Sequence, residues 1–403
     1  MLPDQGGAGG GGLGQSRCAG GQPVSVDEKV IPRRISRLPS LTGLRWIAAL
    51  LVFTTHAAYQ PGLLPPGAAA EGFMHVVKMG GYIGVGFFFV LSGFVLTWSA
   101  REHDTPARFW RRRFFKIYPN HFVAFLLAVG LMLLTGREIV GWVQQVLLLH
   151  AWWPDLDVAF GVNDVSWSLS VEALFYLSFP LLIVLVRKIR PDRLWWWAGG
   201  IMAAVVLMPV IAKLLPAQPQ VWWEATPEYE YWFVYVFPPV RALDFVLGMV
   251  MARIVMVGVW PRVRALWAGL AFVAGYLAAS FLPTTFAIVA ATIVPLAFLI
   301  PAAAAADVEG RHSWLASRPM VWLGDVSFAF YLLHELVLYN MYRLYGDEFQ
   351  PTLAQAIGLW ALSLGGTVLL AWGMHRLVEL PMQHRFSSPG KRITPREPRS
   401  APS

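Results

Sequence analysis

Apolar runs alternate with short polar connections along most of the chain, and each run approaches the ~20 residues that a helix needs to cross a bilayer. The pattern predicts spans at 41–58, 81–100, 118–135, 166–187, 194–215, 232–257, 265–282, 284–304, 320–342 and 352–375. Between the third and fourth, GWVQQVLLLHAWW (141–153) is short and tryptophan-ended, which reads as an interfacial or re-entrant piece. Residues 101–119 form a basic connection between the second and third spans. The expected fold is therefore an all-α polytopic membrane protein of about ten transmembrane helices over residues 39–385. A Gly-rich N-terminal tail (1–38) and a polar, basic C-terminal tail (386–403) are expected to be disordered.

Composition supports that class, since 56% of the 403 residues are hydrophobic and only 14% charged, too apolar for an ordinary soluble chain. The net charge of +8 does not point to nucleic acid, because the basic residues cluster in connections between apolar runs. Threading ten spans puts Arg33, Arg34, Arg37, the 101–119 stretch and most other Lys and Arg residues on one side, so both termini are expected in the cytoplasm at the cell membrane. The acidic loop EATPEYE (224–230) falls on the other side. The single cysteine, Cys18, excludes an intramolecular disulfide, and its place in a tail argues against thiolate metal or nucleophile chemistry. HExxH, GxSxG, P-loop and GxGxxG patterns are absent.

The chemistry must then come from ionisable groups inside the spans, which are costly unless satisfied and so mark candidate sites. Arg45 and His56 interrupt the first run; eleven positions at about 100° each return them to nearly one helix face, about 16 Å apart. Neither has a charged neighbour on its own helix. Glu172 in the fourth run also lacks a local cation, and His56 is a natural partner for it. Arg241 and Asp244, spaced i,i+3, read as a structural ion pair. In the ninth run His334 and Glu335 project to different faces, with Tyr331 a turn before His334, and His334 is a candidate for the cavity around His56. The remaining histidines offer no ligand spacing, and no metal is expected. Gly84, Gly86, Ser92 and Gly93 suit either helix packing or ligand approach. Intramembrane charge of this kind fits an enzyme or a proton-coupled secondary transporter or flippase, although the inverted repeats and matched broken helices of transporters are not found.

Six segments in order, RLPSLTGLRWIAALLVFTTHA (37–57), GVGFFFVLSGFVL (84–96), FWRRRFFKIYP (109–119), WSLSVEALFYLSFPLL (167–182), LGDVSFAFYLLH (323–334) and HRLVELP (375–381), resemble the membrane acyltransferase-3 family. The Leu-Pro-Ser-Leu-Thr-Gly-Leu-Arg opening resembles its actinomycete branch that acylates macrolides. The resemblance implies an acyl-CoA-dependent O-acyltransferase with acetyl-CoA or another acyl-CoA as co-substrate and no permanently bound cofactor. The acceptor would be a hydroxyl of a macrolide, another natural product or a sugar. It implies His56 as the catalytic histidine, Arg45 as the first-helix arginine, Arg112, Arg113 and Lys116 as the basic motif near the donor, and Glu172 as the acidic partner. Departures are Gly86 in place of an acidic residue, Ala173 and Leu174 in place of Glu and Gln, and Lys116 in place of Arg. On this reading CoA phosphates meet the 101–119 stretch, the pantetheine arm runs past Arg45, and neutral His56 takes the proton of the attacking hydroxyl while Glu172 holds its other nitrogen. Ser92, Trp167, Tyr331 and His334 are expected to line the substrate, with Ser92 or amides near Gly84 and Gly93 as oxyanion donors.

Overall fold

Pro39 opens the first long helix, α1 (Pro39–Tyr59), at a position where a missing N–H costs nothing, and the helix lacks a side-chain cap of its own. The computed structural model describes residues 37–101, 104–345 and 349–387. Cys18, Arg33, Arg34 and nearly all of both expected tails lie outside the described residues. Nine further long helices follow: α2 (Ala68–Trp98), α3 (Pro106–Thr135), α4 (Trp167–Lys188), α5 (Leu194–Ala212), α6 (Pro238–Met256), α7 (Ala265–Ala279), α8 (Ala290–Val308), α9 (Arg318–Tyr345) and α10 (Leu353–Met374). Among the described residues no strand forms, and nine segments are long and apolar enough to span a membrane. The tenth apolar helix, α7, has only 15 residues. The protein is a multi-pass, all-α membrane protein.

Two helix starts differ most from the hydropathy reading. Helix α2 begins at Ala68 rather than residue 81, and α3 begins at Pro106, so the basic stretch is mostly helix rather than loop. The reason is local chemistry: the Thr105 side chain accepts from the Arg108 N–H and Pro106 occupies the first turn, a helix start that an apolar window ignores. At the other end of α3, Gly136 (φ 66°) supplies the left-handed residue at which Arg137 N–H bonds back to the Met132 carbonyl. The segment 141–153 contains only a short helix, Trp142–Val146, and a 3₁₀ turn, His150–Trp152, in keeping with a piece that does not cross.

The core gathers around α1, α2, α6 and α9. Helix α2 packs on α1 and α6 through glycine, because a Cβ on Gly93 would overlap the Phe245 carbonyl and one on Gly248 would overlap that of Val90. Such close crossings gain dispersion contact where no hydrophobic effect drives helices together. Beside this seam Arg241 and Asp244 form the expected ion pair at 2.7 Å, both almost fully buried, with the guanidinium over Phe89 and Tyr235. Removing one partner would strand a buried charge at a cost of about 3–5 kcal/mol. The unsatisfied start of α1 is covered from α8, where Asp307 accepts from Ser40 N (2.9 Å) and Ser40 Oγ (2.6 Å).

Gly93→Ala is expected to cost about 1–3 kcal/mol of overpacking, read as less monodisperse protein surviving a heat step in detergent. Gly86→Ala, whose Cβ would meet Arg241 Nη2 at an ordinary 3.5 Å, is expected to melt no lower than the parent.

Candidate active site

Helical spacing turns Val52, Thr55, His56 and Tyr59 of α1 toward one cavity of about 730 Å³. The end of α3, the segment entering α4 and the loop before α6 close its other sides. His56 is half-buried at this wall, and the groups behind it come from α9. Its Nδ1 stands 3.0 Å from His334 Nε2 and 2.9 Å from Glu335 Oε2, the latter a close contact not aligned as a hydrogen bond. Glu335 Oε1 accepts from Gln60 Nε2 at 2.5 Å, and His334 is wholly buried, its ring parallel to that of Phe330.

These contacts settle where the protons sit. His334 Nδ1 lies 2.7 Å from the Tyr331 carbonyl, which only accepts, so this nitrogen carries hydrogen and Nε2 of the neutral ring is a lone pair. A lone pair and a carboxylate then both face His56 Nδ1, which must be the N–H of that ring. Neutral His56 therefore presents the lone pair of Nε2, the nitrogen without a hydrogen-bond partner among the described residues, to the cavity. That is the tautomer a general base requires. Nitrogen and carboxylate ligand atoms of His56, His334 and Glu335 also fall within 4.8 Å of one another, a spacing that suits a metal ion. The sequence reading found no such spacing because two of the three groups come from another helix.

Glu172 does not hold His56, contrary to expectation. It accepts from Tyr176 Oη at 2.5 Å and Ser92 Oγ at 3.4 Å, on a different stretch of the α2–α4 contact. Ser92 accordingly serves Glu172 and is not among the residues around the His56 cavity. Gly84 and Gly93 are also unsuited as oxyanion donors, since both lie inside α2 with their amides in the helix ladder and their open faces filled by α1 and α6. Trp167 and Tyr331 do line the cavity, where Tyr331 Oη donates to the Val165 carbonyl at 3.0 Å and stands 3.0 Å from Ser168 Oγ. Glu335 is the functional group that the sequence reading left unassigned. His334 and Glu335 do project apart, but α1 fits the notch between them, so both reach one nitrogen.

A second charged group lies toward the start of α1. Lys116 is within electrostatic reach of Arg113, Arg45, Glu379 and Glu172. Arg113 stacks over Phe109 and Tyr176 at 5.4 and 5.8 Å, and its Nε is buried without a hydrogen bond. Glu379 is satisfied by His375 (3.0 Å), Asn120 (3.2 Å) and Gln383 (2.9 Å). Arg45, Arg113 and Lys116 make no ion pair within 4 Å among the described residues, whereas Arg112 is held by both oxygens of Asp104. The basic motif thus divides: Arg113 and Lys116 turn inward with Arg45, and Arg112 braces the start of α3.

An oriented base on a roomy cavity, with unpaired cations near the far end of the same helix, is an arrangement for group transfer by an integral-membrane enzyme. The chain belongs to the acyltransferase-3 family: the family's acyltransferase domain matches residues 38–376. It is 44% identical to "Acyltransferase MdmB" of Streptomyces mycarofaciens over 87% of this chain and 93% of that one. It is 26% identical to "Nodulation protein 10" of Rhizobium leguminosarum bv. viciae over 77% and 85% of the two chains. With "Peptidoglycan O-acetyltransferase OatA" of Listeria monocytogenes it shares 26% identity over 39% of this chain and 26% of that longer protein. No solved structure matches.

Glu335→Gln keeps the side-chain shape but removes the charge that would face an imidazolium at His56 if that ring acts as a base. Acyl transfer by the purified variant is expected to fall about 10²-fold or more, with unchanged elution on size exclusion.

Proposed function

We propose that the protein transfers an acyl group, acetyl in the first instance, from acyl-CoA to a hydroxyl of a macrolide or related natural product, or of a sugar attached to one. The observation that carries this reading is the open Nε2 of His56, set by His334 and Glu335 on the opposite side of the ring. The likeness to an acyltransferase of a Streptomyces species supports the acceptor class.

Charge supports this choice of donor. A CoA nucleotide carries several phosphates, and Arg45, Arg113 and Lys116 are cations free to bind them by charge-assisted hydrogen bonds. With the basic end in the cytoplasm, the pantetheine arm follows α1 over the about 16 Å that separates Arg45 from His56. The acceptor oxygen attacks the thioester carbonyl, its proton moves to His56 Nε2, and the new C–O bond replaces the C–S bond. Glu335 stabilises the transient imidazolium, which returns the proton to the departing CoA thiolate. Glu172, bonded to Tyr176 and Ser92, belongs to the donor end on this reading and positions the cations rather than the base.

His56→Ala is expected to abolish transfer from labelled acetyl-CoA while membrane insertion stays normal; retained turnover would remove the proposed base. The double variant Arg113→Ala, Lys116→Ala is expected to raise KM for acetyl-CoA about tenfold or more, with kcat changed less, each lost charged hydrogen bond being worth about 1.5–3 kcal/mol. An unchanged KM would put the donor phosphates elsewhere.

A further inference from the structure

The cavity that His56 borders has a wall that the transfer step does not use. Phe160, Trp167, Tyr235, Tyr231 and Trp223 touch one another in a closed circuit, with successive ring centroids 6.5, 4.6, 5.5, 5.7 and 6.3 Å apart. Tyr82 adds a sixth ring, 4.9 Å from Tyr235. The rings come from α2, the segment entering α4, the loop after α5 and the turns before α6, and all six line the cavity. Aromatic faces carry negative quadrupole charge, and they bind the C–H faces of saturated rings and cations alike.

Charge on the same wall separates those two uses. Carboxylates outnumber cations: Glu138, Asp157, Asp164, Glu224 and Glu228 line the cavity beside only Lys78 and Arg137. Lys78 is taken by Glu224, and the Arg137 guanidinium lies over the Tyr339 ring at 4.7 Å. Glu228 accepts from the Leu156 amide. Asp164 is different. Glu138 and Asp157, which also make no ion pair within 4 Å among the described residues, are exposed, whereas Asp164 is half-buried; its Oδ1 accepts from the Val165 amide at 2.8 Å, and it lies within electrostatic reach of His56, Arg137 and Glu335 without an ion pair within 4 Å among the described residues. It also borders a smaller cavity of about 120 Å³ together with Phe160 of the aromatic wall and Glu335.

We propose that this aromatic collar is the acceptor site, and that it selects a hydroxyl-bearing saturated ring carrying a protonated amine, with Asp164 as the counter-ion. The proposal rests on the acyl-transfer reading of His56 and adds the charge and shape of the acceptor. The rings hold the flat face of the sugar-like group, Asp164 fixes the ammonium, and a neighbouring hydroxyl is brought to Nε2.

The test uses full-length protein in detergent and two probes, the methyl glycoside of a dimethylamino-deoxyhexose and the parent methyl hexoside without nitrogen. Labelled acetyl transfer and quenching of tryptophan fluorescence are read for each. The wild type is expected to take the amine-bearing glycoside with a KM at least tenfold lower. Asp164→Asn should shrink that ratio to within about twofold without moving KM for acetyl-CoA, and Asp164→Glu should restore part of it. Equal KM values for the two glycosides in the wild type, or equal loss on both in Asp164→Asn, would overturn the proposal while His56-dependent transfer stood. Amine-selective, Asp164-dependent quenching without any transfer would support the collar and overturn the acyl-transfer reading instead.

Discussion

The site depends on one N–H: the hydrogen on His56 Nδ1, bonded to the lone pair of His334 with the carboxylate of Glu335 close beside it. An imidazole is useful as a base only when one tautomer is enforced, and here the enforcement begins with the backbone. The Tyr331 carbonyl fixes the proton of His334, His334 fixes the proton of His56, and the reactive lone pair is left facing the cavity. Every link in that series is buried or half-buried, where a mispaired polar group is expensive. The low polarity that makes the relay costly to assemble wrongly also makes it decisive once assembled.

Such a relay works only if α1 and α9 keep their depth and rotation, since a helix turning by one residue moves its side chains by about 100°. The surroundings supply that rigidity with rather few polar devices. Asp307 ties the first turn of α1 to α8, and the Cβ-free crossing of Gly324 on the Thr42 carbonyl sets α9 against α1. The Arg241–Asp244 pair does the same for α6 beneath Phe89 of α2. Gly84 and Gly93 thus belong to packing, and their value lies in what they let approach.

Much of this was legible along the chain. Apolar length announced the spans, and charges inside them singled out Arg45, His56, Glu172 and the Arg241–Asp244 pair. Partnership across helices was not legible, because hydropathy and helical spacing describe one helix at a time. One-helix spacing leaves Glu172 as a partner for His56, yet Glu335, next to His334 on α9, is the carboxylate that lies beside His56 Nδ1. Ser92 was drawn toward the base for lack of any view of Tyr176, with which it shares Glu172. The start of α3 was misplaced for a different reason: Thr105 and Pro106 form a helix start written in capping chemistry, which a search for apolar runs passes over. The aromatic collar was invisible as a unit, its rings being scattered between residues 82 and 235.

On the proposed reading, the two charged regions must sit apart for the reaction to be selective. Arginine or lysine side chains placed beside His56 would attract phosphate to the position that the acceptor needs. Carboxylates placed among Arg45, Arg113 and Lys116 at full strength would neutralise the donor site, and the two found there are already engaged: Glu379 by Asn120, His375 and Gln383, Glu172 by Tyr176 and Ser92. Helix α1 solves both problems by length. Eleven residues keep the pair on one face while setting Arg45 and His56 about 16 Å apart, so an anionic donor and a cationic acceptor are each drawn to their own end and meet only at the imidazole.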